Sequence, residues 1–274
     1  MDYYKSILIC GGDLRQKYLF EDMLKKGFKV SSFALNENGV NINDICKFDV
    51  LILPVPVSKD GEHLNTPLIN YKIKIEDVLS RTDYTQTILG GVCGGISDNI
   101  IDYYKNEDFQ MQNAIPTAEG ALQIAMENTE ITINNSRCGV LGFGRIGKIM
   151  ARMLKNMGAD VTVFARNPKD ISLVKALGYN AINIVDISNY IKKFDILFNT
   201  VPHRVIDCDA LCNLKDNSVI IELASKPYGT DIERAEKLGK KVIVASALPG
   251  KVAPITAGKI LSDVITDILM GLEV

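Results

Sequence analysis

Residues 138–147, which read Cys-Gly-Val-Leu-Gly-Phe-Gly-Arg-Ile-Gly, constrain the fold more than any other part of the chain. Gly142, Gly144 and Gly147 form the pattern G-x-G-x-x-G between a short apolar run and an amphipathic segment. In such a strand–turn–helix unit, the glycines permit a tight turn, a close approach of backbone to a pyrophosphate, and close packing of helix on strand. The N–H groups and positive dipole end of the helix N-terminus favour phosphate. The segment therefore predicts a dinucleotide site; a purely structural unit is the alternative.

The cofactor type follows from the next strand, predicted over residues 160–167. NAD-binding units place an acid at this strand end, where it hydrogen-bonds the ribose. Here Ala165 takes that position and is followed by Arg166 and Asn167. A guanidinium fits a 2′-phosphate, so we expect NADP rather than NAD, with a solvated Arg166 as the alternative. The predicted cofactor-binding residues are Gly142, Phe143, Gly144, Arg145, Ile146, Gly147, Arg166, Asn167, Thr200, Val201 and Pro202.

Composition limits the classes of protein and partner. The chain has 274 residues, of which 47% are hydrophobic and 23% charged, as in a soluble globular protein large enough for two domains. A net charge of −2 without a basic block interleaved with aromatics argues against nucleic acid and anionic membranes as partners. No long apolar run or signal-peptide pattern is present, so we expect a cytoplasmic protein.

The 6 cysteines show neither a C-x-x-C pair nor histidines at metal-ligand spacing. We therefore expect neither a metal site nor a disulfide framework. Cys10, Cys93 and Cys138 fall on apparent buried strands, where a thiol serves as a small apolar residue. A reactive Cys93 that faces a cleft is the alternative.

Apolar segments alternate with helical ones along the chain, which indicates parallel sheets. We predict α/β architecture with two Rossmann-like, doubly wound parallel-sheet domains and an interdomain cleft. The strands are expected at residues 5–10, 28–35, 48–54, 85–90, 138–142, 160–167, 195–200, 218–224 and 241–245.

The region that links the two halves is predicted in less regular terms. We expect a helix over residues 96–105, a strand over 108–111 and a further helix with Thr117 as its N-cap. Domain boundaries follow: residues 1–118 form a substrate domain and 119–254 the NADP-binding domain. Residues 255–274 carry apolar side chains at i, i+3, i+4 spacing, so we expect a helix that packs back on the first domain.

Five segments together resemble the A subunits of dipicolinate synthase, the sporulation enzyme of endospore-forming Firmicutes, over nearly the whole chain. Tyr228, where a glycine is expected, is a small departure. The segments are Gly11-Gly12-Asp13-Leu14-Arg15-Gln16, Pro116-Thr117-Ala118-Glu119-Gly120-Ala121, Val140-Leu141-Gly142-Phe143-Gly144-Arg145, Ala224-Ser225-Lys226-Pro227 and Leu248-Pro249-Gly250-Lys251-Val252-Ala253-Pro254.

The resemblance implies NADP-dependent oxidation of dihydrodipicolinate to dipicolinate, in a branch from lysine biosynthesis and in the mother cell during sporulation. It implies the flavoprotein-like B subunit of dipicolinate synthase as partner, and we expect a homo-oligomer as well. The layout also resembles that of 2-hydroxyacid dehydrogenases. The family pattern assigns no catalytic residue, so the candidates come from the sequence itself.

Ligands of doubly wound sheets bind beyond the carboxyl ends of the strands, and that rule selects the remaining candidates. His203 suits a general acid or base, although a surface turn is an equally ordinary place for it. Glu119 and Lys226 are the other predicted catalytic residues. The predicted substrate-binding residues are Gly12, Asp13, Arg15, Gln16, Thr117, Ser225 and Lys251.

Because the resemblance implies a dicarboxylate, we expect two cationic anchors on opposite domains. Arg15 follows the first glycine turn, where a helix N-terminus and a planar guanidinium both favour a carboxylate. Lys251 is expected on the nucleotide domain. Solvated loop charges are the alternative for both.

Two further functions stay open. A nucleotide-binding regulatory protein and a 2-hydroxyacid-type dehydrogenase acting on another small acid share this fold, and fold alone does not fix function. A protein that is inactive until its flavoprotein-like partner binds is a third possibility.

Overall fold

The computed structural model describes residues 5–36 and 39–272. The chain divides into two compact units. The first contains the residues up to Asn113 and those from Pro249 onwards, and the second is Ala114–Leu248. Each unit contains its own parallel sheet flanked by helices, which confirms the predicted α/β class with two doubly wound sheets.

The strands and α-helices of the described residues follow one another in largely alternating order. Short 3-10 helices lie at Ile42–Lys47, Tyr103–Lys105, Ile184–Asp186 and Ile191–Lys193. The strands and α-helices are β1 (Ser6–Cys10), α1 (Leu14–Lys25), β2 (Lys29–Phe33), β3 (Val50–Ile52), α2 (Ile75–Leu79), β4 (Thr87–Gly90), β5 (Ile100–Asp102), α3 (Glu107–Asn128), β6 (Arg137–Leu141), α4 (Arg145–Asn156), β7 (Asp160–Ala165), α5 (Pro168–Ala176), β8 (Asn180–Asn183), α6 (Ile187–Tyr190), β9 (Ile196–Asn199), α7 (Cys208–Asn213), β10 (Val219–Glu222), α8 (Ile232–Lys237), β11 (Lys241–Val244), α9 (Leu248–Val252) and α10 (Pro254–Gly271).

The sheet of the first unit has the parallel order β2-β1-β3-β4-β5, a doubly wound arrangement. The apolar side of α10 packs with α1 and one face of this sheet in a single buried cluster. Gly258 permits the close approach, because a Cβ there would lie 2.6 Å from the Cβ of Tyr18. Lys26 adds a polar link, with its Nζ 2.8 Å from Ser262 Oγ and 2.6 Å from Asp263 Oδ1.

The sheet of the second unit has the order β11-β10-β9-β6-β7-β8, which is the Rossmann order when its strands are numbered from β6. Leu141 pairs with Asn199, and Asn199 pairs with Glu222. The carboxyl ends of β6, β9 and β10 therefore lie side by side. The turn after β6 and the loops after the other two strands begin at one edge.

The structure corrects the predictions for the linking region. The helix expected over 96–105 is instead β5 followed by a 3-10 helix, because Ile100 pairs with Ile88 on β4 and is buried. The expected strand over 108–111 is the start of α3, where Asn106 accepts a hydrogen bond from the N–H of Phe109. Thr117 is not an N-cap, because α3 begins at Glu107 and continues through Pro116.

The described units also differ from the expected domains at residues 114–118, which group with the second unit, and at residues 249–254. This segment groups with the first unit rather than with the nucleotide domain, and α9 contains Pro249, Gly250 and Lys251. The physical reason is close packing: a Cβ at Gly250 would lie 2.8 Å from Arg15 Nε.

Among the helices of the described residues, none is both long and apolar enough to cross a membrane.

Candidate functional site: a glycine-rich turn at a strand edge

The glycine turn after β6 has the backbone that the sequence predicts for a dinucleotide site. Gly142 has φ +96°, and a Cβ there would lie 2.4 Å from Thr200 Oγ1. A Cβ on Gly147 would lie 2.2 Å from the carbonyl oxygen of Gly142, so only glycine lets α4 begin this close to the strand. Gly144 is the N-cap of α4, and a Cβ there would have no heavy atom within 4 Å. The turn therefore leaves open space over a helix N-terminus, which fits a pyrophosphate.

The loop after β9 is fixed beside this turn. Thr200 donates from its backbone N–H and from Oγ1 to the carbonyl oxygen of Leu141, at 3.0 and 2.8 Å. The N–H of Val201 donates to Asn199 Oδ1 at 3.2 Å. Pro202 follows and is exposed. Thr200, Val201 and Pro202, which the sequence predicts as cofactor contacts, thus lie at the edge where the glycine turn begins.

The side chains of the turn itself divide into core and surface. The ring of Phe143 belongs to the buried core of the unit, so only the backbone of this residue is placed to contact a cofactor. Lys148 Nζ lies 5.6 Å from the centroid of that ring. Arg145 and Ile146 form the first turn of α4.

The end of β7 carries no acid. Ala165 is buried, Arg166 is exposed, and Asn167 caps α5 by accepting a hydrogen bond from the N–H of Lys169 at 2.9 Å. The carboxylate that would repel a 2′-phosphate is therefore absent from this strand end, and a guanidinium lies next to it.

A buried carboxylate that sequence reasoning missed connects two strand ends. Glu222 ends β10 with its side chain fully buried. Its Oε1 accepts hydrogen bonds from Asn199 Nδ2 at 2.7 Å and from the N–H of Ala224 at 3.1 Å. Its Oε2 accepts one from the N–H of Thr230 at 2.9 Å. A charged residue closing an otherwise apolar strand was the signal in the sequence for this role.

The predicted catalytic and substrate residues of the second unit lie mostly on these loops. His203, Ser225 and Lys226 are exposed or half-buried and follow β9 or β10, which are neighbouring strands. An ion pair between Arg204 and Asp231 connects the two loops. Glu119 is different, since it lies on the exposed side of α3, and Thr117 lies in the same helix.

Arg15, the predicted carboxylate anchor, is instead engaged within the protein. Its side chain is 7% exposed and forms a forked pair with Asp13, with Nε 3.0 Å from Oδ1 and Nη2 2.8 Å from Oδ2. Nη2 also donates to the carbonyl oxygen of Val55 at 2.6 Å. This corrects the sequence prediction, because a guanidinium held in this way stabilises the first unit rather than waiting for a ligand.

The remaining residues of the first glycine turn form the start of α1. Asp13 is the N-cap, and Gln16 completes a capping box by accepting from the N–H of Asp13 at 3.2 Å. Burial raises the pKa of the Asp13 carboxyl, but the hydrogen bonds and charge of Arg15 outweigh it and hold the pKa below its ordinary value. Gly12 has φ +102° and contacts Gln16, which is fully buried. This turn is therefore built for helix capping.

Lys251, the second predicted anchor, is exposed on α9 in the first unit. The expectation of anchors on opposite domains is therefore wrong, because both residues belong to the same unit.

Cys93, the cysteine for which the sequence leaves a reactive role open, lies in the first unit and is buried. Burial together with the charge of Asp102 raises its pKa to about 11. A thiol in that state is a poor nucleophile at neutral pH. Within residues 5–36 and 39–272, no group of three potential metal ligands comes together.

Comparisons with known proteins agree with this geometry. Residues 6–111 match the N-terminal domain of the dipicolinate synthase A subunit, and residues 104–227 match the NAD-binding domain of D-isomer specific 2-hydroxyacid dehydrogenases. The chain is 30% identical to the dipicolinate synthase A subunit of Bacillus subtilis (strain 168), over 98% of this chain and 97% of that protein.

Solved structures give the same result. The crystal structure of the dipicolinate synthase A subunit from Bacillus halodurans superimposes with a TM-score of 0.90 at 29% identity, covering 97% of each chain. The corresponding crystal structure from Bacillus subtilis gives 0.89 at 28% identity, covering 100% of this chain and 98% of that one. The similarity extends through both units.

Proposed function

The chain belongs to the family of dipicolinate synthase A subunits, and on that premise we propose that it oxidises dihydrodipicolinate to dipicolinate with NADP, together with the B subunit of that enzyme. The second unit carries a nicotinamide-dinucleotide domain of the dehydrogenase type, so an oxidoreductase is the functional class. The glycine turn at Gly142, Gly144 and Gly147 is the observation on which the proposal rests, because its open space and helix N-terminus match a pyrophosphate.

The proposed oxidation removes a hydride and a proton from dihydrodipicolinate and leaves an aromatic ring. A nicotinamide, when bound, accepts the hydride. The chain then has to orient the substrate and take up the proton. Thr200 and Val201 lie at the strand edge where a nicotinamide would bind. Hydrogen bonds to neighbouring strand ends hold both residues in place.

His203 is the proposed proton acceptor, because it is exposed on a loop that starts at this edge. Imidazole is the side chain that most often serves as a general acid or base. Lys226, exposed on the neighbouring loop, is proposed as the cation that holds the substrate or the nicotinamide. Glu119 stays a candidate on α3.

The proposed substrate contacts lie on the loops that follow β9 and β10. Ser225 and Lys226 offer a hydroxyl and an ammonium beside the loop of Thr200, and Lys251 stays a prediction from the sequence. Gly12, Asp13, Gln16 and Thr117 stay predictions from the sequence. The flavoprotein-like partner, self-association and a mother-cell location are likewise part of the proposal and rest on family membership.

NADP preference is proposed because Ala165 replaces the usual acid and Arg166 lies exposed beside it. A charge-assisted hydrogen bond contributes about 1.5 to 3 kcal/mol, so Arg166→Ala should weaken NADP by roughly 10- to 150-fold and leave NAD nearly unchanged. Titration of the wild type and each variant with both cofactors measures this; Arg152→Ala, on the exposed side of α4, is the control. Equal losses for NADP and NAD would remove Arg166 from the phosphate site.

The function itself is tested by a screen of cofactor reduction with dihydrodipicolinate and with 2-hydroxy acids, each with and without the B subunit of dipicolinate synthase. Turnover of dihydrodipicolinate supports the proposal. Turnover of a 2-hydroxy acid alone would favour the second dehydrogenase function, and cofactor binding without any turnover would favour a regulatory protein.

A further inference from the structure

A cavity lies at the edge of the Rossmann sheet opposite the edge that carries the glycine turn. It has a volume of about 690 Å³, within the usual range for small-molecule sites. Arg137, Asp160 and Asn180, which begin β6, β7 and β8, all line it. Since β7 is 6 residues long, at roughly 3.3 Å per residue Asp160 at its start lies on the order of 20 Å from the edge that carries the glycine turn.

The cavity is positively charged, because its lining cations outnumber its lining carboxylates. Arg137, Lys175 and Lys193 line it, and none of them forms an ion pair with another residue in the described part of the chain. Asp160 is the lining carboxylate, and it accepts a hydrogen bond from Asn180 Nδ2 at 3.2 Å. Because the whole chain has a net charge of −2, the positive character belongs to this cavity and not to a generally basic surface.

The nearby carboxylate of Asp195 interacts with Arg137 but is paired more closely with Lys215. Lys215 Nζ lies 2.6 Å from its Oδ1, and the backbone N–H of Arg137 donates to its Oδ2 at 2.8 Å. Asp195 is thus already paired with Lys215. The guanidinium of Arg137 keeps the capacity for a forked pair with an external carboxylate.

Aromatic side chains supply the apolar part of the same cavity. Tyr179, Tyr190 and Phe194 line it, and Phe194 is almost fully buried. Lys193 Nζ lies 4.9 Å from the centroid of the Tyr190 ring, which holds a cation next to an aromatic surface. The cavity therefore offers cations and aromatic side chains together.

We propose that this cavity is a binding site for a planar aromatic dicarboxylate, separate from the dinucleotide edge. Three lining cations and one lining carboxylate leave a charge that a dianion balances, and the tyrosines offer aromatic surface to its ring. The product of the proposed reaction belongs to this chemical class, and only that link to a natural ligand depends on the proposed function. Binding itself does not depend on it.

Isothermal titration of the full chain with benzene-1,3-dicarboxylate tests the site, with the neutral diamide of the same ring as the control ligand. We expect saturable binding of the dicarboxylate and none of the diamide. Lys193→Gln and Arg137→Gln should each weaken it roughly two- to fivefold, the range for an exposed ion pair, and the double variant roughly tenfold. Lys192→Gln, which changes the neighbouring exposed lysine outside the cavity, should leave it unchanged.

The variants also separate this site from the substrate site, because Lys193 and Arg137 lie at the other edge of the sheet. Their NADP affinity and thermal stability should match those of the wild type. Equal binding by wild type and the double variant would overturn the proposal, as would equal binding of the diamide. If the wild-type protein shows no turnover of dihydrodipicolinate in the screen described above, that result would count against the proposed function and not against this cavity.

Discussion

Glu222→Gln tests whether the buried carboxylate holds the two strand-end loops in place. Gln keeps the size of the side chain but replaces one acceptor oxygen by an NH₂ donor. If the remaining oxygen keeps Asn199 Nδ2 and the N–H of Ala224, the new donor faces the N–H of Thr230, now 2.9 Å from Oε2. The opposite orientation places two donors against the amide instead.

Either arrangement leaves at least one buried N–H without an acceptor and removes hydrogen bonds to a charged group. A buried unsatisfied donor costs about 1 to 3 kcal/mol, so the free energy of unfolding should fall by about 2 to 4 kcal/mol. Urea unfolding followed by circular dichroism measures this, with Glu236→Gln, an exposed carboxylate on α8, as the control. NADP affinity should fall as well, because the loop of Thr200 is tied to this network through Asn199. A Glu222→Gln protein as stable as the control would refute the reasoning.

Two further predictions concern the first unit. Arg15→Met breaks the pair with Asp13 and leaves a partly buried carboxylate, so the free energy of unfolding should fall by about 3 kcal/mol; unchanged stability with impaired turnover would restore Arg15 as a ligand residue. Gly258→Ala places a methyl group 2.6 Å from the Cβ of Tyr18 and should destabilise by about 1 to 3 kcal/mol. Gly271→Ala in the same helix meets no atom within 4 Å and should be neutral or stabilising, so equal melting temperatures for the two alanine variants would contradict tight packing of α10 on α1.

The glycine turn is predictable because its pattern is local: Gly142 has the positive φ of the turn itself, and Gly147 lies against the carbonyl of Gly142 in the same strand–turn–helix unit. The segment around Ile100 is not, because its strand conformation comes from pairing with Ile88, on the neighbouring strand β4. In the sequence, Thr117 resembles an N-cap because a helix is expected to begin after Pro116. In the structure, that proline lies inside a long helix.

The site residues divide in the same way. In the sequence, Arg15 resembles a carboxylate anchor because it lies at a predicted helix N-terminus. The sequence does not show that its side chain donates a hydrogen bond to the carbonyl oxygen of Val55, 40 positions away. Lys251 belongs to the first unit and not, as predicted, to the nucleotide domain, because the neighbouring Gly250 packs against Arg15. That contact exists only in the folded chain. Contacts between residues that are far apart in the sequence are therefore what single-sequence reasoning misses here.

The central claim is that this chain, at its glycine turn, couples formation of dipicolinate to reduction of NADP. The most direct measurement follows NADPH and dipicolinate together in one reaction that contains the chain, its flavoprotein-like partner and dihydrodipicolinate. We expect the two products in equal amounts, and no enzymatic formation of either with Gly144→Val, which fills the open space over α4. Dipicolinate formed by the complex at the wild-type rate without NADPH, or with the Gly144→Val chain, would contradict the account.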